Sequence, residues 1–220
     1  MQSIFQTIAE ANRQIDSAQS LVSNNLANTG TTAFKADLYS AQARYRGDFN
    51  VDASALPSAR ESVVDLSGGS ISFTGRDLDI AINGSGWMQV LTPGGEEVLS
   101  RRGDLRVDLD GRLLDGVGRQ VMSETGPVAI QPDATSIAIG SDGTISFSPP
   151  GNAGAARIAL GRIMLVNPDP VDLTKGLDGE IRSAAGADLV PATGIQVVAG
   201  ALESSNVNPI SAMVEMISLS

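Results

Sequence analysis

Ser23-Asn24-Asn25-Leu26-Ala27-Asn28-Thr29-Gly30-Thr31-Thr32-Ala33-Phe34-Lys35 closes a segment of helical periodicity with a cluster of turn-forming residues. Asn24, Asn25 and Asn28 carry short amides that compete for nearby backbone groups, and Gly30 is expected to take the positive φ that ends many helices. Phe34 then supplies the first aromatic anchor for the chain downstream of the turn. By local chemistry alone the stretch reads as a helix C-terminus. The residues before it have a helical pattern, and most of those after it have the pattern of strands.

Upstream, Ile4, Ile8, Ala11, Ile15, Ala18, Val22 and Asn25 recur at spacings of 4 and 3, a heptad seam of mostly small or β-branched residues. Gln6, Glu10, Arg13, Gln14 and Gln19 occupy the opposite face. So narrow a seam does not stabilise an isolated helix, so the helix needs a partner. It either lies on its own β domain or forms one strand of a coiled coil that packs only in an assembly. The other end of the chain offers a candidate. Asn208-Pro209 reads as N-cap and first helical residue, and Ile210, Met213, Val214 and Ile217 share a face. That helix reaches Ser220 after about three turns, which is marginal alone. It is expected either to use the partner helix or to continue further in the natural protein.

Between the helices, residues 37–75 read as an extended connector with a strand or two, broken by Pro57 and ending in the alternating run Ser70 to Thr74. Residues 76–200 read as an irregular β domain. Leu78 to Ile82, Asn83-Gly84 and Trp87 to Leu91 have the pattern of two strands around a tight turn. Pro93-Gly94-Gly95, Asp110-Gly111 and Ser141-Asp142-Gly143 punctuate further hairpins, and Arg157 to Val166 is a longer apolar stretch. The fold class is mainly β with terminal α-helices; sandwich, barrel and irregular arrangements stay open.

Composition narrows the chemistry. Aromatics make up 4% of the 220 residues, so the core must lean on Val, Ile, Leu and Ala. The net charge of −10 argues against a nucleic-acid partner. Its placement is uneven: residues 1–50 balance four basic against four acidic groups, while the remainder carries 11 against 21. With no Cys and no His, the common nucleophile-and-base pairs and the commonest metal ligand are missing, and no cofactor is expected. No apolar run is long enough for a membrane span, and no basic segment followed by an apolar one marks a cleaved secretory signal.

What chemistry is left is thin. Asp108-Leu109-Asp110-Gly111 lacks the third acidic ligand and closing Glu of a calcium loop and reads as a hairpin turn. Gly84-Ser85-Gly86 lacks the rest of a dinucleotide fingerprint. Asp77 and Asp79 alternate as on one strand face, where they form a solvated acidic patch or, in a hydrolase, an acid/base pair. A secreted β-rich binding module is the other competing reading, although few aromatics are available for a platform. No enzyme is expected.

Asn24-Asn25-Leu26-Ala27-Asn28 followed by Thr32-Ala33-Phe34-Lys35 resembles the N-terminal signature of the bacterial flagellar rod and hook family, with Ala33 where that family usually has Gly. Thr74 to Ile82 with Gly84-Ser85-Gly86-Trp87, the block from Arg101 to Leu114, and Gly200 to Pro209 resemble its later signatures, in order. Within the family the chain is most similar to the proximal-rod F-type members, then to the distal-rod G-type members. The resemblance implies a structural subunit of the flagellar basal body. Its terminal helices, residues 1–36 and 201–220, would pair as a coiled coil among other rod and axial subunits in a helical hetero-assembly. It also implies export by the flagellar type III machinery without signal cleavage, and a periplasmic rod location. The interaction residues it singles out are Ile4, Ile8, Ile15, Val22, Asn24, Asn25, Leu26, Asn28, Thr32, Phe34, Lys35, Leu202, Asn206, Asn208, Met213 and Ile217. Ile4, Ile8, Ile15 and Val22 would face Met213 and Ile217 or neighbouring subunits.

Overall fold

A computed structural model describes residues 2–38, 63–131, 134–148, 157–176, 178–184 and 189–219, for residues 2–8, 10, 11 and 135 by their backbone alone. The chain is mainly β, with one helix near each end. It divides into two units: residues 1–67 with 205–220, and residues 68–204.

In the first unit the helix Gln2–Ala27 runs 26 residues without Gly or Pro, about 39 Å at 1.5 Å per residue. It ends through its own side chains. Asn28 N–H reaches the Asn24 and Asn25 carbonyls, Asn28 Nδ2 donates to Asn24 O at 2.9 Å, and Thr29 Oγ1 donates to Leu26 O at 3.0 Å. These bonds satisfy carbonyls that a helix end leaves orphaned. Gly30 does not take the positive φ expected of it. That conformation falls three residues later on Ala33, at φ 54°. The Asn and Thr side chains already close the last turn, so no left-handed residue is needed at Gly30. The chain reverses instead at Ala33, with Phe34 N–H on Thr31 O.

A left-handed alanine costs about 1–2 kcal/mol relative to its right-handed form, a cost glycine avoids. Glycine loses more entropy on folding, which returns part of the gain. Ala33→Gly is therefore expected to stabilise this unit by about 0.5–1 kcal/mol. A shift of the denaturation midpoint in the opposite direction would show that the methyl group packs usefully there.

The short strands Asp37–Leu38 and Val63–Val64 pair antiparallel. Residues 39–62, with most of the expected connector, lie outside the described set. The helix Pro209–Ser218 begins as anticipated, with the Asn208 side chain accepting from Ile210 and Ser211 N–H and Pro209 in the first turn.

The second unit is built of short antiparallel strands. Its largest sheet runs Leu173–Lys175, Ile181–Ser183, Glu97–Ser100, Trp87–Leu91, Gln120–Ser123, Leu113–Leu114, Arg106–Val107, with Leu165–Val166 and Gly126–Pro127 paired alongside. Thr135–Ile139, Thr144–Ser148 and Ile158–Arg162 form a separate three-stranded sheet, and two ribbons pair Ile80–Asn83 with Gln196–Ala199 and Ile71–Phe73 with Ala201–Glu203. The core is aliphatic, as the composition required. Ile80, Met88, Val90, Leu105, Leu113, Val121, Ile145, Ile163 and Leu165 are all buried within it. Each contributes about 1.5–3 kcal/mol through the surface it removes from water.

Three hairpins read from turn residues are present: Trp87–Leu91 with Glu97–Ser100, Arg106–Val107 with Leu113–Leu114, and Thr135–Ile139 with Thr144–Ser148. The one expected between Ile80 to Ile82 and Trp87 to Leu91 is not. Ile80–Asn83 pairs with Gln196–Ala199, more than a hundred residues away. The cause is Arg101. Its guanidinium takes the carbonyls of Ile82 (3.0 Å), Gly84 (3.0 Å) and Gly86 (2.7 Å), so the turn between the two strands wraps a cation instead of closing a ladder.

The two carboxylates expected on one strand face also separate. Asp77 is exposed in a turn, whereas Asp79 is buried and accepts from Thr74 Oγ1 at 2.7 Å. Asp79 therefore holds the Thr74 hydroxyl and lies 3.4 Å from the Arg76 guanidinium, and the pair offers no shared site for acid/base work. Asp108 likewise spends its side chain on its own turn, accepting from Asp110 and Arg112 N–H. On the surface, Asp178 is held down to about 2 chiefly by its hydrogen bond from Arg182, so this pair stays ionised well into acid solution.

Candidate assembly site at the chain ends

The first unit brings together the two signatures that lie at opposite ends of the sequence. A primary amide carries one donor and one acceptor group, like a peptide unit, so it can stand in for a strand neighbour. Asn25 does this for Asp37: its Nδ2 donates to Asp37 O at 2.7 Å, and its Oδ1 accepts from Asp37 N–H at 2.9 Å. The last turn of the helix is thereby fastened to the first residue of the returning strand. Asn25 closes the seam, and its amide, expected to compete for backbone groups, finds them on Asp37.

Asn206 repeats the device across 170 residues of sequence. Its backbone N–H donates to Phe34 O, its Oδ1 accepts from Ala36 N–H at 2.8 Å, and its Nδ2 donates to Asp65 O at 2.9 Å and Ser67 O at 3.2 Å. Lys35, only 3% exposed, places Nζ 2.6 Å from the same Ser67 carbonyl. Asp65 N–H closes onto Ala36 O. One asparagine thus joins the Phe34-Lys35-Ala36 segment, the 65–67 segment and the lead into the last helix. The partners Asp65 and Ser67 escaped sequence reasoning because they are used through main-chain carbonyls, which any residue supplies.

The helices Gln2–Ala27 and Pro209–Ser218 touch. Gln19 Nε2 donates at 2.7 Å to Leu219 O, a carbonyl left over where the second helix ends. Val22 is 5% exposed and Ala212 7%, whereas Ile15 is 42%, Met213 52% and Ile217 74% exposed. Within one chain, then, Met213 and Ile217 lie on the outward side of their helix together with Ile210 and Val214. The short helix turns its small residue inward because alanine permits close approach to a neighbour. Ile4 and Ile8 lie on the first helix, but their side chains are outside the described set.

The remaining expected residues are dispersed. Asn24 is exposed and lines a shallow groove with Asp16, Gln19, Ser20, Ser23, Ala27 and Met216. Asn28 accepts from Thr31 Oγ1, while Leu26, Thr32 and Phe34 are half-buried in the turn region. Asn208 is an exposed helix cap. Leu202 belongs to the β-rich unit, opposite Ser72 on the ribbon Ala201–Glu203. Next to it stands a feature the sequence did not announce. Glu203 is 1% exposed and receives Arg101 Nε at 2.7 Å and Gly69 N–H at 2.9 Å. The arginine lies 5.8 Å from the centroid of Trp87.

Among the described residues of this arrangement, the side-chain amides and the Lys35 ammonium are spent on main-chain groups. Its polar atoms fasten backbone segments, and the outward face of the short helix is apolar. Among the described residues no group of His, Cys, Asp or Glu could hold a metal ion, and no helix is long and apolar enough to cross a membrane.

Comparison with known proteins agrees. The chain matches the family model described as flagellar hook protein FlgE/F/G D1 domain over residues 81–147, and that described as flagellar basal body rod FlgEFG protein C-terminal over residues 198–220. It is 34% identical to the flagellar basal-body rod protein FlgF of Escherichia coli K12, an alignment covering 90% of this chain and 81% of that protein. FlgF of Caulobacter vibrioides is 32% identical over 90% of this chain and 80% of its own length. FlgG of Buchnera aphidicola subsp. Schizaphis graminum is 28% identical, over 90% and 82% respectively. With two family models matched in chain order, and with one-third identity to a relative across nine-tenths of its residues, this chain belongs to the flagellar basal-body rod protein family.

Proposed function

We propose that the chain is a structural subunit of the bacterial flagellar basal-body rod, of the proximal-rod F type. It polymerises through its terminal helices and helps to transmit torque from motor to hook. The observation that carries this reading is the extent of its likeness to FlgF proteins, over nine-tenths of its length. The geometry supports it. Ile210, Met213, Val214 and Ile217 form an outward apolar face that a neighbouring helix would cover, and Ile15 is a partly exposed member of the seam on the long helix. Burying that face in a coiled coil would remove it from water, and a heterologous contact whose rotation does not close generates a helical assembly. In this reading the segments 1–36 and 201–220 form the inner layer, 37–75 the connector and 76–200 the outward domain. The partners are other rod and axial subunits. Export runs through the flagellar type III machinery without a cleaved signal, into the periplasmic rod. Nothing in the site calls for catalysis.

Ile15→Asp is expected to abolish incorporation into the rod, and with it motility, while the β-rich unit of the purified protein keeps its denaturation midpoint. A swimming strain carrying Ile15→Asp at normal expression would sink the helix-mediated assembly. The G-type reading is kept open by the FlgG relatives. Complementation separates the two: the chain should restore swimming to a strain lacking FlgF and fail in one lacking FlgG.

A further inference from the structure

The structure assigns to Asn83 a chemical property that its neighbours do not share: it is a site of spontaneous deamidation, set against the buried anchor of the β-rich unit. Asn83-Gly84 is the only Asn-Gly pair in the chain. The reaction needs the Gly84 amide nitrogen to reach the Asn83 side-chain carbon, and the absence of a Cβ at Gly84 leaves that approach open. Asn83 ends its strand exposed on the surface, and Gly84 turns away from it at φ +89°.

Neither reacting group is engaged elsewhere. Among the described residues the Asn83 side chain forms no hydrogen bond, and the Gly84 N–H donates to no acceptor. The contrast with other asparagines is direct: the amides of Asn25, Asn28, Asn206 and Asn208 are all held by hydrogen bonds.

In the reaction the Gly84 nitrogen, losing its proton, bonds to Asn83 Cγ. The Cγ–Nδ2 bond breaks and ammonia leaves with the proton, which forms a cyclic imide. Water then opens the ring at either carbonyl. One product is aspartate; the other is isoaspartate, in which the main chain runs through the side-chain carbon and is one methylene longer. The rate rises with pH because the attacking nitrogen must be deprotonated.

The position gives the lesion a consequence. The next carbonyl, Gly84 O, accepts from Arg101 Nη1 at 3.0 Å, and Ile82 O and Gly86 O hold the rest of the same guanidinium. An extra methylene between Ile82 and Gly84 moves these acceptors out of register around a cation that cannot be rehydrated cheaply. Isoaspartate at this position therefore loosens the anchor, whereas aspartate leaves the main chain intact.

The test is to age the full-length protein at mildly alkaline pH. Peptide mapping with fragmentation that separates isoaspartate from aspartate then follows each asparagine, and denaturant unfolding is measured on the same samples. The expected result is loss of the Asn83 amide ahead of every other asparagine, with an isoaspartate fraction that unfolds at lower denaturant than fresh protein. Asn83→Gln should age without that shift, and Asn83→Asp should match the fresh midpoint closely. If Asn83 stays intact for as long as a synthetic peptide of residues 78–90 takes to convert, the fold holds the nitrogen away and the assignment fails. If Asn83 converts but the aged and fresh midpoints coincide, the link to the Arg101 anchor is overturned.

Discussion

Glu203→Ala is expected to cost the β-rich unit about 3–5 kcal/mol, because it leaves the Arg101 cation buried without its counter-charge. The side chains of this pair are 5% and 1% exposed, and the carboxylate also holds Gly69 N–H. Against a total stability on the order of 5–15 kcal/mol, such a loss is a large fraction of the whole. The converse change separates loss of a partner from loss of packing. Arg101→Met combined with Glu203→Leu removes both charges, and replacing a buried pair with apolar groups is often close to neutral. Here the recovery should be partial, since the Ile82, Gly84 and Gly86 carbonyls then lose their donor. Urea unfolding of the three proteins decides it. A single substitution costing no more than the double would mean that the pair contributes shape only. The ribbon Ala201–Glu203 with Ile71–Phe73 should show the earliest gain in amide exchange, because Glu203 and Gly69 fasten it to Arg101.

Asn206→Leu is expected to weaken the unit that carries the helices by on the order of 3 kcal/mol, with each orphaned buried polar group costing about 1–3. The leucine has nearly the volume of the amide but none of its polar atoms. Ala36, 7% exposed, loses the acceptor for its N–H, and the Asp65 carbonyl loses the Nδ2 donor. Lys35 still reaches Ser67 O, so that carbonyl keeps a partner. The diagnostic reading is amide exchange at Ala36, which should accelerate by far more than at Leu113 in the other unit. Equal protection at Ala36 in both proteins would show that the clamp is redundant. If the terminal helices build the rod, the same substitution should reduce swimming, because the lead into the last helix is no longer tied to the segment after the first.

Much of this was legible without coordinates because it depends on neighbours in sequence. The cap at Asn208-Pro209, the helical period up to Asn25 and the Gly-bearing hairpins are local, set by backbone preference and side chains within a few residues. The aliphatic core also followed from the scarcity of aromatic residues. The order of signatures along the chain was enough to place it in its family.

The failures have other causes. Gly30 was expected to reverse the chain, yet Asn28 and Thr29 had already satisfied the helix end, and the reversal fell to Ala33. Ile80–Asn83 was expected beside Trp87–Leu91, yet a guanidinium from residue 101 took the carbonyls between them. The Asn25 amide was expected to reach backbone, but its partner, Asp37, was not named. At Gly30 the deciding groups were side chains within one helical turn that bond main-chain carbonyls; in the other two cases the partner was a main-chain group or a charge brought up from elsewhere in the chain. By itself the sequence determined where the two helices and three of the hairpins form and which family the chain joins. Only the tertiary structure decided what Asn25, Arg101, Glu203 and Asn206 hold, because backbone acceptors are the same in every residue and leave no mark on the pattern of side chains.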